Sequence, residues 1–206
     1  MLDQFISKSP AQGPAVQPDE KVLWQSMRKG NDLAFSSLYT KFADSLFNYG
    51  MHICYNRDLV LDCIQELFTE LWNKRDSLSQ VESVTPYLFK SLRNLLVKKI
   101  EFDRKRFAPA DDQVLSQLSD CSAEDRIIYE DQAHTNTIKI SRALEKVSKR
   151  QREIVVLKYF NGFSYAQIAG IMGITTASAH NLLSKALQCM KAVIKLVVLL
   201  CVGVIG

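Results

Sequence analysis

Glycine and proline are scarce in this sequence, 8 and 5 among 206 residues. An all-β chain needs those residues for its turns, so their shortage points to helices joined by a few breaks. The cysteines show no pairing pattern. Cys54, Cys63, Cys121, Cys189 and Cys201 are odd in number, dispersed, and form no CxxC pair. A disulfide framework is thereby disfavoured, and a reducing cytosol fits better. His52 and Cys54 lie close together, yet no second ligand pair accompanies them, so no metal is expected. The N-terminus lacks the apolar core of a secretory signal, which together with the cysteines points to the cytoplasm. Also missing are a phosphate-cradling glycine loop and a nucleophile–base arrangement. No catalysis and no cofactor are expected.

Hydrophobic residues make up 47% of the chain, enough for a packed core. The formal charge of +4 is only mildly basic, but its distribution is informative. Lys90, Arg93, Lys98, Lys99, Arg104, Lys105 and Arg106 crowd the stretch from Thr85 to Phe107 against Glu101 and Asp103. From Asp111 to Asp131 the charges are acidic except for Arg126, and from Lys139 to Lys195 they are basic except for Glu145 and Glu153. Any one block alone could be a solvated helix face. The order basic, acidic, basic suggests two polyanion-facing modules joined by an anion-mimicking linker.

Residues 1–18, rich in Pro, Gln, Ala and Ser, suggest a flexible leader. Asp19 can cap a first helix that ends near Gly30, and Asn31 can cap a second in which Ala34, Leu38, Phe42 and Leu46 recur at helical spacing. A third helix is predicted from Arg57 to Lys74. Val60, Ile64, Leu67, Phe68 and Leu71 form its apolar stripe, with Asp62, Gln65, Glu66, Thr69 and Asn73 opposite. A fourth begins at Pro86 with Thr85 as cap. Its Leu88, Leu92, Leu95 and Leu96 face inward; Lys90, Asn94, Val97 and Glu101 face outward, flanked by Arg93 and Lys98. Residues 108–137 are too long and too acidic for a connection inside a domain and predict a linker. Two further helices are expected over 138–147 and 149–161.

The strongest local signal is FSYAQIAGIMGITTASAHNLLSKALQCMK, Phe163 to Lys191. Ser164 and Gln167 make a capping box for a short helix. Gly173 suits the left-handed position that closes it, Ile174 can plug the corner, and Thr175 can cap a second helix. Ala169 is small where two helices must cross closely. This is the pattern of a helix-turn-helix, whose second helix enters the major groove. On that helix Ala179, Leu183, Ala186, Leu187 and Met190 project to one side and Ala177, Ser178, Asn181, Lys185 and Gln188 to the other. Ser178 and Asn181 can hydrogen-bond base edges, and Lys185 can neutralise a phosphate.

These residues resemble the C-terminal promoter-binding domain of extracytoplasmic-function sigma factors, which recognises the −35 element. DLAFSSLYTKFADSLFNYG followed by NRDLVLDCIQELFTELWNKRDSL resembles that family's N-terminal domain, and TPYLFKSLRNLLVKKIE its following helix. The similarity runs from about Asp19 to Lys191 in the family's order. It implies an all-α fold: an N-terminal domain over 19–107, an acidic linker over 108–137, and a helix-turn-helix domain over 138–195. It implies that Asp62, Gln65 and Glu66 dock on core RNA polymerase. Arg93, Asn94 and Lys98, with the loop from Asn73 to Val84, would meet the melted −10 strand, where Tyr87 and Phe89 are the available aromatics. Thr176, Ser178, Asn181 and Lys185 would contact the −35 element. Promoter DNA, core polymerase and an anti-sigma factor are the implied partners.

The family usually has a basic residue where this chain has His180, often another where it has Leu182, and usually Val where it has Ala179. Fewer cations on the recognition helix mean fewer phosphate contacts and a shallower salt dependence. Residues 196–206 form an apolar tail. Eleven helical residues extend only about 16 Å against a hydrocarbon core of about 30 Å, so the tail should pack on protein rather than span a membrane. Two other functions use parts of this pattern: a helix-turn-helix transcription factor that binds duplex DNA without polymerase, and a membrane-tethered helical adaptor held by the tail.

Overall fold

A computed structural model of the chain describes residues 19–107 and 147–203, with side chains for 19–106 and 147–191. The expected leader, the acidic linker and nearly all of the helix predicted over 138–147 lie outside the described residues. What is described is helical throughout, with no strand. It divides into two compact units, 19–50 with 57–106, and 51–56 and 107 with 147–203.

The first unit follows the capping signals closely. α1 (Glu20–Arg28) is capped by Asp19, whose carboxylate accepts from the Lys21 amide, and its chain turns at Gly30 with φ +85°. Asn31 then caps α2 (Asp32–Ile53), accepting from the Ala34 amide at 3.1 Å. α3 (Arg57–Asn73) buries the predicted stripe of Val60, Ile64, Leu67, Phe68 and Leu71, together with Cys63. Each such side chain contributes about 1.5–3 kcal/mol when removed from water.

α2 and α3 run antiparallel, as their contacts show. Phe35 meets Phe68 and Trp72 at one end, Tyr39 meets Phe68, and Gly50 approaches Val60 at the other. A short 3-10 turn (Arg75–Ser77) follows, and its loop is tied down by the Trp24 indole donating to the Ser79 carbonyl at 3.4 Å.

α4 (Val84–Phe107) starts two residues earlier than the sequence suggests. Thr85 is therefore not its cap but a residue of the first turn, where its hydroxyl donates to Glu20 at 2.7 Å. Pro86 still falls in that turn, where an amide hydrogen has no helical acceptor to lose. Leu88, Leu92 and Leu96 are buried as expected, while Leu95 is half-buried. Phe89 is 1% exposed against Tyr49, so it is core and offers nothing to a nucleic acid.

In the second unit the helix predicted over 149–161 forms in two parts. α5 (Lys149–Val155) carries a complete capping box between Ser148 and Gln151, and then the chain widens into a π-helical turn, Val156–Phe160. α6 (Tyr165–Met172) and α7 (Thr176–Gly203) follow. α7 continues through most of the apolar tail as one helix. No helix among the described residues is long and apolar enough to cross a membrane.

Candidate nucleic-acid interface

The turn between α6 and α7 is built as its sequence predicts. The Ser164 hydroxyl accepts from the Gln167 amide at 3.3 Å, and the Gln167 side chain accepts from the Ser164 amide at 2.9 Å. Gly173 closes α6 at φ 64° and ψ 41°, a left-handed conformation that an L side chain would strain. The Ile174 amide returns to the Ala169 carbonyl at 3.0 Å, and the Thr175 hydroxyl accepts from the Ser178 amide at 3.1 Å. Ala169 is buried and Ile174 half-buried in the corner.

α7 then presents two faces. Ala179, Leu183, Ala186 and Met190 are buried. Ala177, Ser178, Asn181, Lys185 and Gln188 are exposed together on the outer side, and Thr176 is exposed as the first residue of the helix. Leu187 corrects the expected pattern: it is 40% exposed, at the edge of the buried stripe and not within it. The Ser178 hydroxyl also accepts from that of Thr175 at 2.8 Å.

Helical spacing alone does not show what His180 meets. Its imidazole stacks on the Tyr165 ring with centroids 3.4 Å apart and planes 20° from parallel. Lys158 lies over the same ring at 4.8 Å and donates to the Phe163 carbonyl at 3.2 Å. A cation over an aromatic face is attracted by the ring's quadrupole. The start of α7 is thus braced against α6 by an aromatic contact. Tyr165 and His180 each occupy an unremarkable position in the helical pattern, so only the crossing of the two helices brings them together.

In the first unit, Asp62 and Gln65 are exposed on α3, beside Leu61 at 42% exposure, and Glu66 is half-buried. Glu66 is not free: its Oε2 pairs with Lys99 of α4 at 2.7 Å. That hydrogen bond holds the Lys99 ammonium above its usual pKa; partial burial opposes the shift, and the negative charge of Glu66 and Asp62 supports it. Charge counting hid this pairing, because in sequence Lys99 is one more member of a basic block.

On α4, Asn94 and Lys98 are exposed and Arg93 is half-buried. Asn94 and Lys98 border a groove of about 300 Å³ with Leu67, Leu71, Leu78 and Tyr87, an apolar floor under a polar rim. Tyr87 packs edge-on against Trp24 at 5.3 Å. Lys98 also borders a second groove with Glu66 and Lys99, so two of the expected interfaces adjoin on α3 and α4. Among the described residues no group of three or more His, Cys, Asp or Glu side chains is arranged to hold a metal.

Comparison with known proteins agrees with this architecture. Residues 137–190 match the family model for sigma-70, region 4. The chain is 22% identical over 162 residues to the ECF RNA polymerase sigma factor SigM of Bacillus subtilis, covering 78% of this chain and 94% of that protein. It is 24% identical over 156 residues to the ECF RNA polymerase sigma factor SigL of Mycobacterium tuberculosis, covering 75% and 85%. In fold it resembles CnrH, solved in complex with the cytosolic domain of CnrY, with a TM-score of 0.60 at 18% identity over 85% of this chain and 97% of that one. It also resembles the sigma factor RpoE from Bartonella quintana, solved with the anti-sigma factor NepR, with a TM-score of 0.57 at 20% identity over 78% and 96%. With the capped turn, the polar outer face of α7 and the ordered helices of the first unit, these relationships support an extracytoplasmic-function sigma factor, a protein that directs RNA polymerase to initiate at specific promoters.

Proposed function

We propose that promoter recognition is divided between the two units. The observation that carries this is the capped α6–α7 turn, which leaves Ser178, Asn181 and Lys185 exposed on one face of a helix whose other face is core, with Thr176 exposed at its start. Thr176, Ser178 and Asn181 read −35 bases through hydroxyl and amide groups, and Lys185 holds backbone phosphate. In the first unit Asp62, Gln65 and Glu66 dock on core polymerase, and Arg93, Asn94 and Lys98 receive the melted −10 strand. The groove beside Asn94 and Lys98 supports that role, since its apolar floor and polar rim suit an unstacked base.

The chain itself performs no chemical step; polymerisation belongs to the core enzyme, and the work is done in the cytoplasm where that enzyme acts. An anti-sigma factor is a further partner, supported by the solved complex of the sigma factor RpoE with the anti-sigma factor NepR. Run-off transcription tests the whole reading. Purified chain with core polymerase should start transcripts at discrete sites on genomic fragments, and neither component should do so alone. Tight, specific binding to duplex promoter DNA without polymerase, with no run-off product, would replace this reading with that of an autonomous transcription factor.

A further inference from the structure

We infer that Lys99 is a positioning residue of the polymerase-docking face, holding the Glu66 carboxylate in place, and is not one of the DNA-facing cations. The inference rests on the reading of Glu66 as a docking residue. Lys99 lies in the basic stretch of α4, one position after the exposed Lys98, and by charge alone the two are equivalent. A step of one residue turns about 100° around a helix, and that rotation separates them. Lys98 is exposed at the groove with Asn94, whereas Lys99 points across to α3 and closes on Glu66 at 2.7 Å.

The pair is partly sheltered, with 35% of the Lys99 and 39% of the Glu66 side chain accessible. Asp62, one turn earlier on α3, adds its negative charge to the same site, and the ammonium is held in its charged form. The contact engages Oε2 of Glu66 and leaves Oε1 for a donor on the docking partner. A free glutamate would lose rotamer freedom on docking; one already held by Lys99 loses less, which favours the complex. The same contact takes Lys99 out of the cations that neutralise phosphate.

The test is a double-mutant cycle on the full chain, read as affinity for core polymerase. Lys99→Met should keep the melting temperature near wild type and weaken core binding about three- to fivefold, the range of a partly exposed ion pair. Lys99→Gln is the alternative should the Met variant fold poorly. Lys99→Arg, which can make the same bond, should restore most of the affinity. In a Glu66→Gln background Lys99→Met should have no further effect. The salt slope of holoenzyme binding to a forked promoter should be unchanged by Lys99→Met.

Unchanged or tighter core binding by Lys99→Met, or an equal loss in the Glu66→Gln background, would overturn the proposal. So would a salt slope lowered by about one unit with core binding intact, since that marks a phosphate contact. Should Glu66→Gln alone leave core affinity untouched, the docking reading itself is wrong, and the role of Lys99 falls with it.

Discussion

Asn181 and Glu66 show how differently one side chain can matter at two interfaces. Asn181 is exposed, on the polar side of α7, and its amide can both donate to and accept from a base edge. Asn181→Ala should cost roughly 1–3 kcal/mol in holoenzyme affinity for the cognate −35 element and relax preference at one base. Competition binding against single-base variants of the element measures both; unchanged preference would mean that α7 is docked some other way. Glu66 carries its charge on the proposed docking face. Glu66→Lys should leave the helical circular dichroism intact, yet weaken core association by about 1–3 kcal/mol if the contact is central. Normal pull-down of core enzyme by the folded variant would remove Glu66 from the interface. It would also set Lys99 beside a second lysine, so a modest loss of thermal stability is expected with the change.

Elements in this molecule are fixed by their ends and by their crossings, and the two can be separated. The capping box at Ser164 satisfies amides at the start of α6, and Ser164→Ala should cost about 1 kcal/mol. The loss should appear as earlier melting of the second unit, with the first unit unaffected. At the crossing of α2 with α3 and α4, a Cβ on Gly50 would lie 2.6 Å from Val60 Cγ1 and 3.5 Å from Leu96 Cδ1. Val60 is fully buried and β-branched, so it has little room to rotate away. Gly50→Ala should therefore destabilise the first unit by about 1–3 kcal/mol through overpacking, despite a helix-propensity gain of about 1 kcal/mol. Gly170 of α6 has nothing within 4 Å of such a Cβ. Gly170→Ala should show the propensity gain alone, as a raised melting temperature. If both substitutions stabilise, the close approach at Gly50 is not the constraint described here.

For the whole molecule, the division of labour predicts that binding and opening separate by unit. Lys185→Ala should weaken holoenzyme binding to all promoter sequences alike and lower its salt slope by about one unit. A combined Arg93, Asn94 and Lys98 variant should keep upstream binding but lose permanganate reactivity at melted thymines; loss of both together would deny the division. Much of this architecture could be read in the sequence, because its signals are local. Asp19, Asn31, Ser164 and Gly173 cap or close helices by bonds to residues a few positions away, and the α3 stripe recurs at the period that buries one face. The exposed set on α7 followed from the same periodicity. The sequence could not show that Phe89 is core, that Leu187 is exposed, that Thr85 bonds Glu20, or that His180 stacks on Tyr165. Nor could it distinguish Lys99 from Lys98. Each of those facts depends on a partner from another helix, brought near by the angle and depth at which two elements pack. Spacing along one helix sets which side a residue faces, and tertiary structure alone decides what it meets there.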